Sequence, residues 1–269
     1  MRNKGVELGI SAVPVQTKDF QWTTSVNYST NKNTLLSLSN DQFVSSGYSE
    51  QGSTGEPLQT YTHRIEEGQP IGNFYGYKVV DIDDNGHWII EGEDGNPKPV
   101  SELQPTDKQV IGNGLPKHYL NWNNSISWRG FDFAVTMRGA FDFDILNMPR
   151  LQYGAPVMLA RGNVMSEAFD TKFGKRPLAY DQELQYVDYY IENGSYWKID
   201  NLTLGYTFNF NSPWIKRLRV YGTITNLATI TGYSGIDPEV SLSGLTPGID
   251  NKNRYPSTRT YTLGVSVKF

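Results

Sequence analysis

From Tyr261 to Phe269 the chain alternates without a fault: Tyr261, Leu263, Val265, Val267 and Phe269 share one face of an extended segment, and Thr262, Gly264, Ser266 and Lys268 the other. A period of two belongs to a β-strand with one apolar and one polar side. The pattern recurs upstream. Val6, Leu8, Ile10 and Ala12 alternate with Glu7, Gly9 and Ser11, and Phe20, Trp22, Val26 and Tyr28 alternate with Gln21, Thr23, Ser25 and Asn27. Leu120, Trp122, Ile126 and Trp128, then Phe131, Phe133, Val135, Met137 and Phe141, make two more apolar faces about Gly130. Leu202, Leu204, Tyr206, Phe208 and Phe210, followed by Leu218, Val220 and Ile224, complete a set of about seven predicted strands.

The connections alternate in length. Segments 13–19, 129–131 and 211–215 are turns, whereas 30–118, 142–195 and 227–258 are long loops. In an up-and-down antiparallel sheet alternate connections lie at the same end, so every turn falls on one side and every long loop on the other. Outer-membrane barrels have short periplasmic turns and long extracellular loops, and long structureless loops are uncommon in compact soluble domains. Bacterial single-chain barrels carry an even number of strands, eight or more. Seven therefore predict part of a larger barrel rather than a small autonomous porin. The fold expected is all-β: an antiparallel, up-and-down transmembrane β-barrel segment with long extracellular loops.

Composition narrows this picture. Aromatic residues are 13% of the chain, yet its mean hydropathy is −0.50, so rings are spent on surfaces rather than in a large core. Ring girdles of membrane barrels do this, and so do the ring-bearing faces of soluble carbohydrate-binding β-sandwiches, which stand as the alternative. The net charge of −4 carries no nucleic-acid footprint. The absence of cysteine removes disulfides, thiolate metal sites and cysteine nucleophiles. The longest uninterrupted apolar run, Val157–Ala160, is far too short for a membrane helix. Met1 and Arg2 lead straight into a strand pattern, so no signal peptide is expected within the chain.

Six stretches carry a family resemblance: "NKGVELGISAVPVQTKDFQWTTSVNYSTNKN" from Asn3, "GQPIGNFYGY" from Gly68, "GNGLPKHYLNWNNSISWRGFDFAVTMRG" from Gly112, "NGSYWKIDNLTLGYTF" from Asn193, "RVYGTITNLATITGYSGIDPEV" from Arg219 and "YPSTRTYTLGVSVKF" from Tyr255. In this order they resemble the C-terminal barrel of SusC/RagA-like TonB-dependent outer-membrane transporters. The resemblance implies that residues 1–269 are the C-terminal portion of a barrel of about 22 strands, with loops 30–118, 142–195 and 227–258 extracellular and the plug domain and signal peptide outside the chain. It implies nutrient import, of glycans or peptides, across the bacterial outer membrane. The partners it implies are a SusD-like surface lipoprotein, the lipid bilayer, the barrel assembly machinery, and TonB through an N-terminal part that this chain lacks. Phe269, a terminal aromatic on an alternating last strand, looks like the signal read during barrel assembly.

Local motifs add little chemistry. Asp81, Asp83, Asn85 and Gly86 match the opening of an EF-hand calcium loop, in which alternate oxygens face the ion. The twelfth position, however, is Gly92, with Glu91 and Glu93 on either side. The competing reading is an Asn-Gly hairpin turn between 79–82 and 87–90. His63, His87 and His118 have no ligand spacing, so no other metal site is expected. No H-E-x-x-H, G-x-S-x-G, P-loop or dinucleotide fingerprint occurs, and neither an enzymatic activity nor a cofactor is expected. Asp132 and Arg138 fall on the polar strand face, where a water-filled lumen tolerates them. Loop aromatics such as Tyr48, Tyr61, Tyr75, Tyr153, Tyr180 and Tyr233 offer rings to a substrate, although none is singled out as a binding residue. A short helix is expected within 157–169.

Overall fold

A computed structural model describes residues 1–269. The main sheet is a seven-stranded antiparallel meander: β1 (Arg2–Gln16), β2 (Phe20–Thr34), β3 (His118–Trp128), β4 (Phe131–Phe141), β5 (Tyr196–Asn209), β6 (Arg217–Thr231) and β7 (Thr260–Lys268). Each strand pairs with its sequence neighbours, and the outer edges of β1 and β7 remain unpaired, so the sheet does not close. At about 3.3 Å per residue even β7 is long enough to cross a bilayer at the usual tilt. Turns fix the register on one side. Arg129 and Gly130, both at positive φ, join β3 to β4 as a two-residue hairpin loop of the primed kind.

Three strands run past the ends that alternation predicts, and each does so through an irregularity. The β1 register shifts between Ala12 and Val15, so the strand continues to Gln16. In β5 Asp200 is skipped in both ladders, which extends the strand back to Tyr196. On the facing strand Asn226, at φ 55°, and Leu227 are skipped, and β6 continues to Thr231. A bulge inverts the inside-outside alternation after it, which is why a strict period of two stops there.

The apolar faces line up across the sheet. One row runs Leu8, Tyr28, Leu120, Gly139, Trp197, Ile230, and another runs Trp22, Ile126, Phe133, Leu204, Gly222, Leu263. No part of the chain covers this face: Leu263 is 90% exposed, and Val6, Leu8, Ile10, Leu204 and Val265 are all exposed. Two polar positions, Thr24 and Asn124, lie opposite one another within it. Both are satisfied by indoles: Trp122 Nε1 donates to Thr24 at 3.0 Å and Trp22 Nε1 to the Asn124 side-chain oxygen at 3.1 Å.

Rings border the apolar face at both ends. Trp128, Phe131, Tyr206 and Phe208 form a contiguous cluster near the turns, with successive centroids 6.1, 4.5 and 4.7 Å apart. Tyr28 stacks on His118, and Phe141 on Trp197, at the loop end. Phe131 and Phe141 are ten positions apart on β4, about 33 Å along the strand and about 25 Å once a strand tilt near 40° is included, the height of a barrel's apolar band.

The buried core lies elsewhere. The long connections fold into a cap of short strands: 48–51, 63–66, 73–76 and 109–113 make one small sheet, and 79–82, 88–91 and 97–99 another. The second connection supplies 144–147, the helix α1 (Met148–Tyr153) and 191–193, and the third supplies 249–250, which pairs parallel with 146–147. Trp88, Phe74, Ile82, Ile90, Leu146, Leu151, Tyr186 and Val187 are central to a 13-residue core shared by the first two connections. Helix α1 starts at Asn147, whose side chain accepts the Arg150 N–H at 3.1 Å, with Pro149 in its first turn. The short helix expected within 157–169 does not form as an α-helix. Its place is taken by single 3₁₀ turns at Pro156–Ala160 and Ser166–Phe169, with the Arg161–Met165 stretch between them non-helical.

Candidate functional site: the polar face and its loop cap

The polar face of the sheet is continuous in the same register. Ser25, Asn123, Thr136, Asn201 and Thr225 form one row, and Gln21, Ser127, Asp132, Gly205, Tyr221 and Gly264 another. Asp132 and Arg219 do not sit on neighbouring strands: β5 runs between them. They meet because Gly205 leaves the intervening position open, and a Cβ there would lie 2.6 Å from the Asp132 carboxylate and 2.8 Å from the Arg219 guanidinium. Arg219 Nε donates to Asp132 at 2.8 Å, and the guanidinium also stacks on the Tyr221 ring. The polar placement expected for Asp132 and Arg138 holds.

Arg138 leads to a larger cluster. It pairs with Asp200, the bulge residue, and with Glu239 from the third connection. Lys198, buried at 4% exposure, pairs with Glu239 and lies 3.8 Å from Asp237. Arg254 donates to the carbonyls of Asp237 and Glu239, and Ser257 donates to Asp237. Burial alone would push the Asp237 and Glu239 carboxyls up, but these donors and cations outweigh it and hold both below the usual range. The segment "GIDPEV" is thereby clamped to the sheet by charge. Truncating one partner of such a buried cluster leaves the others uncompensated.

Similar bonds join the connections to each other. His63 is buried on Phe74, its Nε2 2.9 Å from the Pro247 carbonyl, and burial lowers its pKa to about 4. It is therefore neutral and links the first connection to the third. Arg150 in α1 pairs with Glu167 and with Glu192, and Glu192 also accepts from the Ser234 backbone at 2.9 Å. Burial raises the Asp250 carboxyl even though it accepts the Tyr233 hydroxyl at 2.6 Å.

The remaining sequence-derived candidates separate cleanly. Residues 79–82 and 88–91 pair as the hairpin of the turn reading. Asp81 is engaged by Lys175, which holds its carboxyl low, while Asp83 accepts the backbone N–H groups of Asn85 and His87 at 2.8 Å each. Both carboxylates thus already have partners within the chain. No cluster of three or more His, Asp or Glu side chains has metal-holding geometry. Among the loop aromatics, Phe74, Tyr186, Tyr190 and Tyr233 are buried, Tyr48 and Tyr75 flank Arg64, and Tyr61 and Tyr180 are exposed. Phe269 is 76% exposed beyond the end of β7. Sequence reasoning missed Lys198, Asp237 and Glu239. The bulge at Asp200 hid the strand that carries the first, and the other two sit in a loop with no periodicity.

No protein-family model matches the chain. Over its whole length it is 28% identical to TonB-dependent receptor P3 of Formosa agariphila and 29% identical to TonB-dependent receptor SusC of Bacteroides thetaiotaomicron. It spans 29% and 26% of those proteins, less than a third of either. Among solved structures, the RagAB peptide transporter aligns over 99% of this chain and 29% of the other, with a TM-score of 0.79 and 22% identity. The RagAB peptide importer in its closed-closed state aligns over the same shares, with a TM-score of 0.80 and 23% identity. In sequence and in fold, from end to end, the chain resembles a segment of the SusC/RagA-like TonB-dependent receptors.

Proposed function

We propose that this chain is the C-terminal portion of the barrel of an outer-membrane TonB-dependent nutrient importer, taking up glycans or peptides. The observation that carries the reading is the uncovered apolar face, bordered by rings at both ends and backed by a polar face with charged pairs. Lipid on one side and a water-filled lumen on the other satisfy both faces at once. A soluble sandwich would instead need a second layer over the apolar face, and the chain supplies none there. The cap then lies outside the cell, and the apolar strands are the membrane-crossing ones.

The resemblance supports a SusD-like lipoprotein partner above the cap, TonB engagement through a part of the polypeptide outside these residues, and an assembly role for Phe269. It also supports a binding and transport role rather than an enzymatic one. For the loop at Asp81, Asp83 and Asn85 a structural turn is the better reading than a calcium site, since the carboxylates already have partners.

The test is extraction. Expressed as the full-length polypeptide that contains these residues, the protein should fractionate with outer membranes, require detergent for release and show heat-modifiable gel migration. Recovery as a soluble monomer without detergent would refute the reading.

A further inference from the structure

We propose that Arg2, Lys4 and Lys32, at the cap-side rim of the apolar face, bind the phosphate group of an outer-leaflet lipid. The proposal rests on the importer reading, because it takes the apolar face as covered by lipid and the cap as lying outside the cell.

Charge is nearly absent from the apolar face. The acids of the seven strands are Glu7, Asp132 and Asp200, and none of them points there: Glu7 lies opposite Ser29, Asp132 opposite Gly205, and Asp200 turns to Arg138. The cations of β4 to β7 also keep to the polar side, in register with Asp132, Ser266 or one another. Arg2, Lys4 and Lys32 are the exceptions. Lys4 and Lys32 are directly opposite each other, in phase with Val6, Leu8 and Tyr28, and Arg2 follows on β1 opposite Thr34. Paired positions bring the Cβ atoms to about 4.5 to 5.5 Å, a spacing at which two like charges destabilise a sheet. No carboxylate relieves this repulsion, since none of the three cations makes an ion pair within the chain, and all three are exposed.

Their height fits a headgroup. Thr30 is opposite His118, and His118 opposite Phe141, so that row belongs to the ring border at the cap end. Lys32 stands two residues beyond Thr30, about 7 Å along the strand and about 5 Å in height at a tilt near 40°. The headgroup layer on each side of a bilayer is about 5 to 8 Å deep, so both ammonium groups end within it. A phosphate monoester, with a charge of about −1.5 to −2, offsets two ammonium groups, and its remaining oxygen suits the Arg2 guanidinium. A zwitterionic headgroup brings a cation of its own and cannot. Free phosphate has the same chemistry, but the three side chains stand directly above hydrocarbon, where a phosphate anchored by acyl chains is held at high effective concentration.

Titration of the detergent-solubilised full-length protein with bisphosphorylated lipid A, with bound copies counted by native mass spectrometry, tests this. Lys4→Gln and Lys32→Gln should each weaken binding roughly fivefold, and the two together roughly 30-fold. Lys268→Gln, which removes a cation from the polar face at the far end of the sheet, should leave it unchanged. Heat-modifiable migration of each variant reports that it has folded. Urea titrations add a sign. In phosphatidylcholine vesicles Lys4→Gln should raise the folded-to-unfolded ratio, by up to about fivefold, because the repulsion is relieved; with lipid A in the vesicles it should lower that ratio. Equal affinity in the double variant, an equal loss in Lys268→Gln, or stabilisation of the same size by inorganic phosphate would overturn the assignment. So would a lowered ratio in phosphatidylcholine alone, which would reveal a carboxylate partner elsewhere in the polypeptide. Any of these results in a protein that still inserts into outer membranes leaves the importer reading standing, whereas failure of the wild type to insert strikes that reading instead.

Discussion

Val265 is placed to distinguish lipid from protein on the apolar face. It is 64% exposed and opposite Val220, and it lies four positions from Tyr261 and four from Phe269. At 3.4 Å per residue it is about 14 Å along the strand from either ring, which puts it near the middle of the band. An arginine at a bilayer midplane costs about 2 to 4 kcal/mol. Val265→Arg should therefore reduce the folded-to-unfolded ratio roughly 30- to 700-fold in a bilayer. Thr262→Arg is the matched control, because Thr262 lies on the polar face opposite Thr223. Ser266 is directly opposite Arg219, so Ser266→Arg adds a like-charge pair and should cost an intermediate amount, up to about 1 kcal/mol. The assay is a urea titration of the full-length protein refolded into phospholipid vesicles, with gel migration before and after heating reporting the folded fraction. Equal costs for Val265→Arg and Thr262→Arg, or a larger cost for Thr262→Arg, would refute the facing.

Three further outcomes are expected. Gly205→Ala should destabilise by about 1 to 3 kcal/mol in the same titration, since its Cβ enters the Asp132–Arg219 contact, and combining it with Asp132→Ala should cost less than the two single changes added. His63, neutral in the fold with a pKa near 4 against 6.5 when exposed, makes the unfolded cap take up its proton first as pH falls. Cap stability should be full above pH 6.5 and fall by about 3 kcal/mol by pH 4, read as faster amide exchange at Tyr75 and Gly248 and flattened by His63→Gln. Trp88→Ala removes a side chain that is 1% exposed from the cap core and should cost about 3 to 5 kcal/mol. The result should be proteolysis within 79–99 while the main sheet stays protected.

The main sheet was legible because its physics is local: side-chain direction has a period of two, and residues such as Leu204 and Thr203 declare their faces without reference to anything distant. Legibility ended at each bulge. Lys198 reads as in phase with Leu202, on the apolar face, until Asp200 is removed from the ladder. The cap was illegible for the opposite reason. Its core joins Phe74 and Trp88 to Leu146 and Tyr186 across long stretches of chain, and no short-range pattern announces such contacts. The ion cluster shows the same limit, since nothing near Glu239 in the sequence names Arg138 as its partner. Thr24 and Asn124 look like interruptions of an apolar face, and only the two indoles explain them.

The central claim is that hydrocarbon covers the apolar face of these strands. The chain has no cysteine, so single cysteines at 203, 204, 262 and 263 in an otherwise cysteine-free full-length protein can each carry a spin label in lipid vesicles. Positions 204 and 263 should relax with lipid-soluble oxygen and ignore a water-soluble nickel chelate, and positions 203 and 262 should do the reverse. Chelate access at 204 and 263 equal to that at 203 and 262 would contradict the account.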